Sequence, residues 1–154
     1  MSRYSGSRYL ALFLGSTLAA GAAYAQPISL GEIAGETETL VSTDSPVSTL
    51  GTRLTGYVLV ENLAYEKEVL VHYSYDKENW LQTEASYAET LESGLEKWVF
   101  ETPLAVLPEG SNVGHTYQVG FSFETNGNTY GLGENLCVSA GPRGICPNYL
   151  SSEK

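Results

Sequence analysis

The sequence predicts an all-β fold, an antiparallel β-sandwich, on three observations. Val69–Tyr75 and Thr116–Thr125 alternate apolar and polar residues, the pattern of a strand with one buried face. Asn126-Gly127 follows the second run, and this dipeptide favours a two-residue hairpin because both central positions need positive φ. No stretch keeps a helical period, and turn signals recur about every 8–12 residues, as in sandwiches.

The elements follow in order. Residues 26–50 read as a weakly patterned lead-in, rich in Thr, Ser, Glu and Gly. Within it Thr39–Val41 fits an edge strand and Asp44-Ser45-Pro46 a turn. Residues 51–150 make the sandwich proper, and 151–154 a tail. Gly56–Val60 is apolar on both faces, as a central strand of a covered sheet is. Its expected hairpin partner is Val69–Tyr75, across the polar connection Asn62–Glu68. Asp76–Trp80 is a loop, Ala85–Ala88 a short strand, and Glu92-Ser93-Gly94 a turn. Lys97–Glu101 alternates again, with Trp98 and Phe100 towards the core. Pro103–Gly114 is a longer connection punctuated by Pro108, Gly110 and Gly114. In Thr116–Thr125 the residues Tyr117, Val119, Phe121 and Phe123 share the inner face, and Asn128–Tyr130 starts the return strand.

Residues 1–25 read as a signal peptide. Arg3 and Arg8 precede the uncharged run Tyr9–Ala23, and Ala23-Tyr24-Ala25 offers small residues where a signal peptidase reads them. Cleavage there starts the mature chain at Gln26. The run is shorter than the roughly 20 apolar residues that span a bilayer, so it does not read as a membrane anchor. Secretion or a periplasmic location follows, with no membrane partner after cleavage.

The chain carries 18 acidic and 8 basic residues. Losing Arg3 and Arg8 with the leader deepens the formal charge from −10 by two more units. Nucleic acid, which needs clustered Lys and Arg, is excluded as a partner, and anionic lipid is disfavoured. A neutral polysaccharide is compatible. Cys137 and Cys146 are the two cysteines; an even count in an exported chain reads as a disulfide. Closing so short a loop contributes about 2–3 kcal/mol on the loop-entropy account. No metal site is read, since His72 and His115 stand remote from the cysteines without ligand spacing, and no cofactor is implied.

Catalytic signals are weak. The Glu residues are scattered as solvated faces would be, and no Gly-x-Ser-x-Gly, His-Glu-x-x-His, Cys-x-x-Cys or phosphate loop occurs. The chain reads as non-catalytic. The aromatic residues are more informative. Tyr65 and Trp80 each sit in a polar connection, where burial is harder to arrange. An exposed ring there suits the C–H face of a pyranose, with Asn62 and Lys67 near enough in sequence to hydrogen-bond hydroxyls. The spacing leaves a second reading equally open: Tyr65 staples its loop and Trp80 caps the end of the sandwich.

The stretch Leu54–Val69, LTGYVLVENLAYEKEV, resembles the signature of carbohydrate-binding module family 21. This family includes starch-binding domains of fungal glucoamylases and glycogen-targeting subunits of protein phosphatase 1. The segment from Asp76 to Trp80, Tyr87, Lys97–Phe100, Phe123–Tyr130 and Asn148-Tyr149 are similar to further family elements, so the resemblance runs over about residues 35–149. It implies an immunoglobulin-like β-sandwich that binds α-1,4-glucans such as starch or glycogen. It implies Trp80 as the stacking residue of one sugar site, with Tyr65, Lys67 and Tyr87 at a second. Asn62 matches an Asn that contacts sugar or fixes the loop. The chain departs from the family at Gly120 and at Gly131–Asn135, where sugar-contacting aromatic and amide residues are expected, so the Tyr65 site is the more complete. No Arg-Val-x-Phe docking motif is present.

The leading expectation is therefore a secreted, non-catalytic module that binds α-glucan, alone or alongside a separate glucan-active enzyme. The alternative is a secreted sandwich that contacts a protein, as an adhesin or inhibitor does, through the Cys137–Cys146 loop.

Overall fold

The alternating runs carry the core of the protein. In the computed structural model, which describes residues 2–4, 27–44, 47–143 and 146, Val69, Val71 and Tyr73 are buried on one strand. Tyr117, Val119, Phe121 and Phe123 are buried on another. The described strands are β1 (Ser2–Tyr4), β2 (Ile28–Val41), β3 (Ser48–Val60), β4 (Glu68–Ser74), β5 (Leu81–Glu84), β6 (Ser86–Thr90), β7 (Glu96–Glu101), β8 (Ala105–Val106), β9 (His115–Thr125) and β10 (Asn128–Ala140). They form two antiparallel sheets, one ordered β1-β2-β3-β7-β6 with β8 also on β3, the other β10-β9-β4-β5. The predicted all-β sandwich is what the chain forms.

The inner faces meet in one apolar layer. Ile28 and Ile33 of β2, Leu54, Val58 and Val60 of β3 and Phe100 of β7 face Val71, Phe121, Phe123 and Val138 of the second sheet. Phe100 and Phe121 bring their ring centroids within 5.5 Å across the gap. Gly56–Val60 is central, as its two-sided apolar pattern requires, because β3 pairs with β2 on one side and β7 on the other. Its outer face is covered by Tyr57, whose ring lies so close over Gly31 that a Cβ there would overlap it.

One expected pairing is wrong. β3 and β4 are not hairpin partners: β3 belongs to the six-stranded sheet, and β4 pairs with β9 and β5 in the other. Residues 61–67 therefore cross from one sheet to the other. The lead-in is also more regular than its composition suggests. β2 runs for 14 residues and pairs with β3 from Ile28 to Val41, with a register shift between Leu30 and Ile33. Its edge at Ile33–Gly35 is occupied by β1. The remainder of the expected leader, the tail and Asn148-Tyr149 lie outside the described residues.

Candidate functional site

The crossing connection is short, polar and fixed at several points. Its entry is held by the Glu61 N–H, which donates to the Pro27 carbonyl at 2.8 Å. Its exit is held by Thr125 Oγ1 at the end of β9, which donates to the Glu66 carbonyl at 2.8 Å. Between these, Lys67 Nζ donates to Glu96 Oε1 and to Asn62 Oδ1, each at 2.9 Å. Register explains the first contact, since Glu96 opens β7 directly opposite Val60, the last residue of β3.

Lys67, expected at the surface, is instead buried: its side chain is 2% exposed and that of Glu96 9%. Burying a charge is tolerable only when it is paired and hydrogen-bonded, and this ion pair with its Asn62 contact meets that condition. The ammonium therefore fixes the loop, and Asn62 shares that task through its carbonyl oxygen. What the loop presents is Tyr65, 99% exposed.

The Glu96 carboxylate extends the network along β7. Its Oε2 accepts from Trp98 Nε1 at 3.1 Å. Trp98 is half-buried, packs on the core and meets Tyr87 edge-on at 6.0 Å between ring centroids. Tyr87, on the exposed edge strand β6, is 53% exposed, and its hydroxyl pairs with Thr90 Oγ1 at 3.0 Å. Asn62, Lys67, Glu96, Trp98 and Tyr87 thus form one connected chain of contacts behind the Tyr65 loop. Sequence reasoning missed Glu96 and treated Trp98 as plain core. A usable signal existed: Glu96 shares the inward phase of Trp98 and Phe100, and a carboxylate in that phase needs a cation.

Trp80 stands elsewhere. It follows the loop after β4, while Tyr65 precedes β4, so the strand's 7 residues, roughly 23 Å of extended chain, separate them. Asp76 shapes this second loop. Its carboxylate accepts from the Asn79 side chain at 2.6 Å, from the Asn79 and Glu78 backbone N–H groups, and from Ser74 Oγ. The Asn79 amide above all, then the backbone donors, hold the Asp76 pKa well below the usual carboxylate range. Trp80 leaves this loop 47% exposed.

A third cluster lies at the same end, inside the sandwich mouth. Thr52 Oγ1 on β3 pairs with His115 Nδ1 at 2.6 Å and with the Tyr117 hydroxyl at 2.8 Å, both on β9. Tyr75 covers the imidazole, ring centroids 4.7 Å apart. Burial pushes the His115 pKa down and, opposed by the Thr52 hydrogen bond, the Tyr117 pKa up. The second histidine, His72, pairs with Ser122 and Gln82 on the outer face of its sheet. Among the described residues no group of His, Cys, Asp and Glu is placed to hold a metal ion. Cys137 and Cys146 form the expected disulfide, Cα atoms 5.6 Å apart.

The family model described as carbohydrate/starch-binding module (family 21) matches residues 38–135. No curated protein matches the chain by sequence. Among solved structures, the chain is similar to the starch-binding domain of Rhizopus oryzae glucoamylase, solved with beta-cyclodextrin and maltoheptaose. That similarity has 19% identity and a TM-score of 0.41, over 73% of this chain and 89% of that one. It is similar also to the carbohydrate-binding module of the muscle glycogen-targeting subunit of protein phosphatase-1, with 19% identity and a TM-score of 0.49, over 76% and 77% of the two chains. The family match spans well over half of the sequence and contains Asn62, Tyr65, Lys67, Trp80 and Tyr87. The chain belongs to the carbohydrate/starch-binding modules of family 21.

Proposed function

We propose that the protein is a secreted, non-catalytic module that binds α-glucan, of the starch or glycogen type, through exposed aromatic rings. Tyr65 with Tyr87 is the principal contact and Trp80 a separate one. The observation that carries this reading is Tyr65: a ring 99% exposed on a loop tied down on both sides of it. A solvated ring has no packing reason to be there, and a fixed one loses little freedom when a pyranose lies against it. The Asn62 amide, whose oxygen faces Lys67, keeps its N–H donors for hydroxyls. Lys67 acts through the loop, not by touching sugar. The acidic chain suits a neutral polymer, and a separate glucan-active enzyme is the natural partner. The disulfide fits an oxidising compartment, in line with the export signal read at residues 1–25.

Affinity electrophoresis of residues 26–154 through gels containing glycogen or soluble starch tests this. Retardation that grows with glucan concentration, and that falls with Tyr65→Ala more than with Trp80→Ala, supports it. Migration unchanged at every glucan concentration overturns it and returns the sandwich to a protein-contacting role.

A further inference from the structure

The six-stranded sheet has a removable edge. β1 pairs antiparallel with β2 at Ser2↔Gly35, Arg3↔Ala34 and Tyr4↔Ile33. These three residues belong to the segment 1–25 that the sequence marks as an export leader. Cleavage before Gln26 takes β1 away and leaves the 14 residues of β2 at the margin of their sheet. The outward N–H and C=O groups that β1 had paired are then open, and such a row templates the addition of another strand. The backbone is stiff at this point. Ile33 belongs to the core between the sheets, and a Cβ on Gly35 would overlap the Ser139 carbonyl and Ala140 of β10. A strand pressed this closely against the opposite sheet loses little freedom when a second one joins it.

Charge decides what fits. Arg53 of β3 is shared among three carboxylates: Glu36 Oε2 at 3.5 Å, Glu38 Oε2 at 3.6 Å and Glu101 Oε1 at 2.6 Å. One guanidinium does not neutralise three, so the face of β2 that carries Glu36 and Glu38 stays negative. Ala34 shares that face by strand alternation, and the residue of β1 in register with Ala34 is an arginine. A second copy of the chain fits badly. Two β2 strands paired antiparallel about Ala34 would set Glu32 of each opposite Glu36 of the other, and like charges so placed repel.

We propose that the Ile33–Gly35 edge of β2 in the exported protein is a strand-docking site, taken by an extended segment of another protein with Arg or Lys opposite Ala34. Backbone ladder bonds supply the attachment. The basic side chain selects the segment and fixes its register. β1 is the same contact made within the chain before the leader is cut. This surface uses none of the aromatic residues assigned to sugar, so it stands or falls independently of glucan binding.

The test is an NMR titration of the exported protein, residues 26–154, with a capped peptide of residues 1–7, MSRYSGS, whose arginine is its one charged side chain. The peptide should shift the backbone amides of residues 33–35 saturably, slow their exchange with solvent, and leave the Tyr65 ring unmoved. Arg3→Lys in the peptide should keep the response, and Arg3→Glu should weaken it about two- to fivefold, the range of an exposed ion pair. A peptide N-methylated at residues 2–4 keeps the charge but has no ladder N–H to donate, and should not bind. Amides 33–35 that stay fixed at every peptide concentration overturn the docking site. So does equal binding of the N-methylated peptide, which is charge attraction without strand pairing. Protection of the same amides by dimerisation of the exported protein alone overturns the choice of occupant in favour of a second copy.

Discussion

Lys67 and Tyr65 stand two residues apart and do opposite things. The Lys67 ammonium is buried against Glu96, whereas the Tyr65 ring is surrounded by solvent. Tyr65→Ala should therefore leave stability within about 0.5 kcal/mol of the parent, as at other exposed positions, while lowering retardation in glycogen gels. Lys67→Ala strands a buried carboxylate and should cost about 3 kcal/mol, read by urea unfolding, and it should weaken glucan binding by releasing the loop. Equal effects of the two variants on stability would refute this division. Tyr65 was legible only in part: a ring in a polar connection fits either an exposed contact or a loop staple, and its 99% exposure decides against the staple. The burial of Lys67 was not legible, because Glu96 lies 29 positions away in sequence and local pattern is blind to such a partner.

Single elements were legible where one chemical feature decides the backbone. Asn126 and Gly127 both have positive φ, 50° and 74°, and Asn128 pairs directly with Thr125, so the tight turn forms as the dipeptide dictates. A Cβ on Gly127 would touch nothing within 4 Å, leaving conformation as the whole cost. Gly127→Ala should destabilise by about 1 kcal/mol, measurable by thermal unfolding, without altering the glucan response at Trp80 or Tyr65. The partners of Gly56–Val60 were illegible for the converse reason. An apolar strand followed by a polar connection looks the same whether the chain turns back within its sheet or crosses to the other. Of β2 only its end, Thr39–Val41, was legible; the rest escaped notice because its register shift between Leu30 and Ile33 breaks the period of two on which strand reading depends.

At the scale of the molecule, two cross-links act far from the Tyr65 loop. The disulfide joins residues 9 apart in sequence, a short loop whose opening should cost about 2–3 kcal/mol. Reduction should lower the midpoint of urea unfolding accordingly and leave Tyr65-dependent retardation in place. The second link spans the two sheets: Thr52 of β3 holds His115 and Tyr117 of β9. Burial holds the His115 pKa below its ordinary value, so the native state resists a proton that the unfolded chain accepts near pH 6.5. Above that pH both states are neutral there and the full stability is present. As pH falls from about 6.5 towards the lower native value, the unfolded chain binds more protons and stability declines. Asp76 works in a different window. Its pKa is depressed by its hydrogen bonds, so its contribution persists above about pH 3.9 and is lost only in stronger acid. Thermal melts should therefore show two separate declines on acidification. His115→Gln should flatten the upper one and leave the lower. A parent protein whose Tm is constant between pH 7 and 5, or a His115→Gln variant that keeps the upper slope, would show that His115 does not set it.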